Sequence, residues 1–349
     1  MNKLNCFCRY SRLIKLLTVT IFCFMSLIVS AQHDSLVLKN GNVIIGEIKS
    51  LDKGVLTIET DYSKDDFKVE WSGIKEIYSE SRFLITLTKG ERLNGSFKSE
   101  PGGTKITITS IDGQQSETSL GEIVFLKGLK SDFWSRASAS IDLGLSLTKA
   151  NNLRQYTVRS NVGYLADKWE LTFFYNDLRS KQDSVAETRR TEYGPSFKYF
   201  LQRDWFINTR LNFLSNTEQA IKLRTTGKLG AGKYLVHNNK AYFGVGGGLS
   251  FNNETFTNQT ASRNSLEGYV GLEANLFDLD NLSLLSNLFV YPSFTESGRW
   301  RTDFTLDTKY DLPLDFYFKI GGTLNYDNRP AIVGNEVDFV VSFSFGWEL

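Results

Sequence analysis

The sequence predicts an all-β chain: a transmembrane antiparallel β-barrel of about 12 strands, preceded by two tandem small β-modules. Three observations carry this. Apolar and polar residues alternate from Ala137 to Leu349, an internal repeat with a 49-residue offset lies before them, and the first thirty-odd residues have the make-up of an export signal. A strand projects successive side chains to opposite faces, so strict alternation gives each strand one greasy and one polar face. In a membrane barrel the greasy face meets lipid and the polar face lines the interior.

Residues 1–31 read as a signal peptide. Lys3, Arg9, Arg12 and Lys15 form a basic region, Leu16 to Val29 an apolar one, and Val29-Ser30-Ala31 supplies small residues for cleavage before Gln32. The apolar run is shorter than the roughly 20 residues of a spanning helix. Cys23 sits inside that run without the small residues that would precede a lipid-modified cysteine. All three cysteines (Cys6, Cys8, Cys23) belong to the signal, so the mature chain has no disulfide, thiolate metal site or cysteine nucleophile. Removing the signal's four basic residues from the chain's 40 leaves 36 against 39 acidic ones, a net charge of −3. Such a balance gives no electrostatic case for nucleic acid.

Residues 32–130 read as a periplasmic β-domain with an internal repeat. Leu38-Lys39-Asn40-Gly41 through Ser50 aligns with Leu87-Thr88-Lys89-Gly90 through Ser99, an offset of 49, and Trp71, Ile74 and Ile77 meet Leu120, Ile123 and Leu126 downstream. Each unit reads as a strand, a tight Asn-Gly or Lys-Gly turn, a second strand and further short strands. The spacing of apolar residue and glycines resembles the Sm-like or SH3-like small barrels. A structural module is favoured over a dedicated ligand-binding domain.

Residues 131–349 read as the barrel, with twelve alternating segments. They are Ala139–Thr148, Tyr156–Tyr164, Trp169–Asn176, Glu192–Leu201, Trp205–Leu214, Leu223–Leu235, Ala241–Phe251, Leu266–Phe277, Leu282–Tyr291, Trp300–Leu312, Phe316–Tyr326 and Val337–Leu349. A tilted strand crosses the hydrocarbon layer in about 9–11 residues, so the mean hydropathy of −0.24 does not argue against a membrane protein. Connections after the even-numbered segments are short (Ala166-Asp167-Lys168, Gln202-Arg203-Asp204, His237 to Lys240, Asp278 to Asn281, Pro313-Leu314-Asp315). Those after the odd ones tend to be long and polar (Leu178 to Thr191, Asn252 to Asn264, Asn328 to Glu336). Outer-membrane barrels combine short periplasmic turns with longer external loops and an even strand number. The phase matches, so the barrel is expected in the outer membrane of a Gram-negative bacterium and the β-domain in the periplasm.

Two stretches, Ser138-Ala139-Ser140-Ile141-Asp142-Leu143-Gly144 where the alternation opens and Phe343-Ser344-Phe345-Gly346-Trp347 near its close, carry a resemblance. From about Trp134 the chain resembles the bacterial outer-membrane family known as domain of unknown function 481, whose members are often described as salt-induced outer-membrane proteins. The resemblance implies location and fold, and carries over no catalytic residues. Barrel-assembly signals usually end in Phe or Trp. Here Leu349 is last and Trp347 shares its face, with the insertion machinery an expected partner beside the bilayer.

No catalytic, cofactor or metal residue is assigned. A Ser-His hydrolase needs an imidazole, and the mature chain has only His33, near its start, and His237, expected as a solvated residue of a periplasmic turn. Gly227-Lys228-Leu229-Gly230-Ala231-Gly232-Lys233 imitates a phosphate loop, but Tyr234 stands where Ser or Thr is required and no helix follows. Gly244, Gly246, Gly247 and Gly248 lack the last glycine of a dinucleotide fingerprint, which Leu249 replaces, and more simply leave room inside a narrow barrel. The inward faces are expected to carry Asp142, Arg159, Glu170, Glu192, Lys198, Arg210, Glu267, Glu273, Arg301, Asp303, Asp307, Lys309, Lys319 and Asp338. These would line a path for a small polar solute or pair and fill the lumen. Salt-bridge roles are favoured over acid–base chemistry for Asp303/Asp307 and Glu267/Glu273. The expected function is non-enzymatic: a narrow channel or a structural, stress-related envelope component. The alternatives are a receptor or adhesin using the loops Asn176–Thr191 and Asn252–Asn264, or a barrel lipid hydrolase.

Overall fold

A computed structural model describes residues 34–347 apart from 103–104, 130–132, 150–151, 218–219, 258–260, 280 and 331–335. The signal-peptide reading, the three cysteines, His33 and the boundary read at Lys130-Ser131 lie outside the described residues. Short β-branched segments punctuated by Gly turns give a first antiparallel sheet. Its strands are β1 (Asp34–Leu38), β2 (Val43–Asp52), β3 (Val55–Glu59), β4 (Phe67–Glu70), β5 (Ile74–Leu87), β6 (Arg92–Ser99), β7 (Lys105–Ser110), β8 (Gln115–Ser119) and β9 (Ile123–Leu129).

The 49-residue offset survives into three dimensions. Leu36 pairs with Ile77 in β1–β5 and Ile85 with Leu126 in β5–β9, and both ladders slip at the next equivalent step, Val37/Leu38 and Thr86/Leu87. The turn glycines Gly41 and Gly90 donate to Leu38 O and Leu87 O at 2.9 and 2.8 Å. Their φ values of 87° and 72° fall where a Cβ is disfavoured. Strand β5 is long because it ends the first unit and begins the second. The last strand of each unit then reaches across: β5 pairs with β6 (Tyr78 opposite Lys98) and β9 with β2 (Ser50 opposite Lys127). Trp71 Nε1 donates to Leu120 O at 2.8 Å, joining two positions related by the same offset. The two units thus share one core, with Leu36, Ile48, Leu51 and Ile77 from one packed with Phe83, Ile85, Phe97 and Leu126 from the other.

The second sheet has twelve antiparallel strands in chain order, the number the alternation predicts. They are β10 (Ala137–Thr148), β11 (Leu153–Leu165), β12 (Trp169–Lys181), β13 (Thr188–Phe200), β14 (Trp205–Asn216), β15 (Ile221–His237), β16 (Ala241–Phe256), β17 (Arg263–Leu279), β18 (Leu282–Pro292), β19 (Trp300–Asp311), β20 (Phe316–Asp327) and β21 (Val337–Trp347). Each strand pairs with its sequence neighbours, and no ladder between β10 and β21 is found among the described residues. The phosphate-loop imitation lies wholly within β15.

Two expected loops are shorter than the sequence suggests. Segment 176–180 is zipped to 188–192 (Asn176 opposite Glu192, Ser180 opposite Thr188), and Asn252 to Glu254 pairs with Ser265 to Arg263. Ladder bonds come from the backbone, so Asn, Thr and Arg extend a strand after the apolar alternation has stopped. Among the described residues, no helix is long and apolar enough to cross a membrane.

Candidate functional site: the polar concave face

The second sheet is curled, and its polar side is the inside of the curl. Neighbouring strands lie about 4.8 Å apart, so strands three apart on a flat sheet are too distant for hydroxyl-to-amine contact. Yet Lys228 Nζ on β15 donates to Tyr291 Oη on β18 at 2.7 Å. Tyr269 Oη on β17 likewise reaches Asn208 Oδ1 on β14 at 3.4 Å. The opposite face is apolar and open: Leu223, Leu229, Leu249, Phe251, Val270 and Leu272 are all exposed.

Charge fills the concave face near the longer connections. Arg301 grips Glu267 with both ends of its fork, Nε to Oε1 at 3.1 Å and Nη2 to Oε2 at 2.6 Å. Arg224 Nε sits 2.8 Å from Glu254, and Arg299 joins Glu296 (3.1 Å) to Asp327 (2.7 Å). The side chains of Arg299, Glu254 and Glu267 are 1 %, 2 % and 0 % exposed, so these pairs are packed rather than solvated.

Of the inward charges read from sequence, Glu267 and Arg301 are brought together as partners. Glu192 accepts from Asn212 at 3.0 Å, and Arg210 lies 4.5 Å from the Phe174 ring centroid. Asp142 and Arg159 stand directly opposite in the β10–β11 ladder, where Asp142 is exposed. The side chain of Asp338 lies outside the described residues. Sequence reasoning missed Arg224, Glu254, Arg299, Asp327 and Lys228. The first, second and last share the inward parity of their strands, whereas Arg299 and Asp327 lie where a strand gives way to a connection and alternation stops being a guide.

Glycine on β15 and β16 makes room for this filling. A Cβ on Gly230 would lie 2.0 Å from Tyr269 Oη and 2.5 Å from the Gly247 carbonyl, and one on Gly232 would lie 2.4 Å from the Phe206 ring. Gly230→Val is therefore expected to destabilise the sheet by about 1–3 kcal/mol, read by thermal unfolding in detergent. Gly227→Ala, which meets only Leu211 Cδ2 at 3.4 Å, serves as a tolerated control.

At the short-turn end the concave face meets the first sheet. Asn239 Nδ2 donates to Ile123 O at 2.7 Å, Asn94 Nδ2 to Asp167 at 3.2 Å, and the Gly90 turn lies against the Asp204 backbone. His237 corrects an expectation here: it is not a solvated turn residue. It ends β15 at 13 % side-chain exposure, with Nδ1 2.6 Å from Asp204 Oδ1 and its ring edge-on to Tyr242. A register shift between Tyr234 and Val236 inserts one residue, which turns His237 to the face that Tyr234 occupies. Among the described residues, no group of three or more His, Cys, Asp or Glu is placed to hold a metal.

Fold and site together define an all-β protein whose curled twelve-stranded sheet has an apolar outside and an ion-paired inside. Residues 141–348 match the family model described as "Protein of unknown function, DUF481". The chain belongs to that family. No curated protein matches it.

Proposed function

We propose that the curled sheet closes into a non-enzymatic outer-membrane β-barrel whose lumen is narrow and capped at its periplasmic end by the first sheet. The observation that carries this is the dressing of the convex face. Outward aromatics form one belt at the short-turn end, where Phe133, Tyr164, Trp169 and Phe197 contact one another in series. Further along the strands Tyr175, Tyr193 and Phe213 contact one another in series, and at the long-connection end Trp300 meets Tyr326. On β19, Trp300 and Tyr310 mark the two levels on a single strand. Ten residues span about 33 Å along a strand, or about 23 Å at a 45° tilt, close to an apolar band of about 25 Å flanked by aromatic girdles. Closure would also pair the backbone edges of β10 and β21, which hydrocarbon could not satisfy.

The ion-paired interior and the docked first sheet support a structural envelope component or a narrow channel over a wide pore. Each repeat of the first sheet supplies five strand segments, in keeping with a small Sm- or SH3-like unit. Planar-bilayer recording tests the proposal. The full chain is expected to give little steady conductance, and the chain lacking residues 34–129 a small, steady one. Large steady conductance from the full chain would overturn the capped lumen. Failure of the folded protein to insert into bilayers at all would overturn the membrane reading.

A further inference from the structure

Between the two sheets, at the short-turn end of the concave face, lies a cavity of about 240 Å³. Arg92 of β6 enters it with its guanidinium 4.0 Å from the Phe200 ring centroid, so one face of the group is covered. Its Nε and Nη2 are buried and have no hydrogen-bond partner among the described residues. These two N–H groups project side by side from one edge of the guanidinium, the fork that takes both oxygens of a carboxylate or two of a phosphate.

The surrounding acids leave the fork open. Asp167 is engaged by Arg136 at 2.8 Å and by Asn94, and Asp204 by His237. Glu170 acts on Arg92 only through space, and burial pushes the guanidinium down to about 10, still charged at neutral pH. A second cation, Lys198, also lines the cavity, with Nζ 3.4 Å from Tyr234 Oη and 5.0 Å from the Phe206 ring centroid. An ammonium has three donors, so this contact leaves capacity for another acceptor. The remaining wall combines aromatic rings, among them Phe206, Tyr234 and Trp205, with carboxylates.

We propose that this cavity binds a small oxyanion carried on an apolar body, its acidic end on the Arg92 fork and Lys198 and its body against Phe206 and Tyr234. Buried forks of this kind are satisfied by a planar acceptor pair, and aromatic walls favour an apolar or aromatic remainder. With each water occupying about 30 Å³, the volume suits a single ring with its acid group rather than a lipid. Asp52, Glu170 and the His237-bound Asp204 also line the wall, which favours a monoanionic carboxylate over a dianionic phosphate ester. The inference goes beyond the barrel proposal and does not require that the sheet cross a membrane.

The test is fluorine NMR of the full chain in detergent with 4-fluorobenzoate. Its signal is expected to broaden saturably, to be restored by unlabelled benzoate, and to respond more weakly to phenyl phosphate. Inorganic phosphate and benzyl alcohol, each lacking half of the recognised chemistry, should not compete. Arg92→Lys keeps the charge and removes the fork, and is expected to weaken binding at least tenfold. Lys198→Met provides an independent variant with a smaller loss. Saturable binding that neither variant weakens would overturn the proposal, as would the absence of saturable binding by benzoate and phenyl phosphate alike. Bilayer conductance is a separate readout, so failure here leaves the barrel proposal standing.

Discussion

Glu267→Gln is expected to cost the twelve-stranded sheet about 3–5 kcal/mol, because it strands the Arg301 guanidinium in a buried site. The Glu267 side chain is 0 % exposed and that of Arg301 15 %. The arginine also lies over the Tyr291 ring, 5.0 Å from its centroid, with no other carboxylate bonded to its fork among the described residues. Desolvating two ions is expensive, and the pair recovers that cost only while both members are present. The double variant Glu267→Gln/Arg301→Met removes both charges at similar volume and is expected to recover most of the loss. Thermal unfolding in detergent measures all three proteins. The size of the single-variant loss also tests the filled lumen proposed above. A dry, filled interior gives the full penalty, whereas a water-filled channel would rehydrate Arg301 and reduce it to about 1 kcal/mol or less.

How much of this was legible in the sequence differs between the two faces. The convex face was fully readable, since a period of two is a property of single strands. Val337, Phe339, Val341, Phe343, Phe345 and Trp347 are all exposed on one side of β21, as the alternation requires. Strand number followed for the same reason. The pairings on the concave face were not readable, because they depend on which strands the curl brings together. Lys228 and Tyr291 are 63 residues apart, and nothing in either strand names the other. Strand ends were misjudged where polar residues continue a ladder, as at Arg179 opposite Arg189. His237 was misplaced because a single inserted residue reverses parity, and alternation carries no mark of a bulge. Arg92 sat in a repeat read as structural, and only its burial beside Phe200 of the other sheet marks it out.

The repeat itself was legible, but its consequence for stability was not. Leu36→Ala and Ile85→Ala are each expected to cost about 2–5 kcal/mol, the usual range for emptying a buried aliphatic site. Both residues are 0 % exposed, and they occupy equivalent positions opposite Ile77 and Leu126. If each repeat had its own core, either substitution would loosen one half and leave the other protected. The shared core predicts otherwise. The last strand of each unit is paired to the second strand of the other, so neither half can open without breaking a ladder of its partner. Hydrogen exchange on the full chain distinguishes the two cases, because it reads local opening strand by strand. Protection should fall together in β1–β4 and in β6–β9 for either variant. Loss confined to β1–β4 in Leu36→Ala, with β6–β9 unchanged, would mean that the ladders between the units carry little free energy and that each repeat is held by its own five strands.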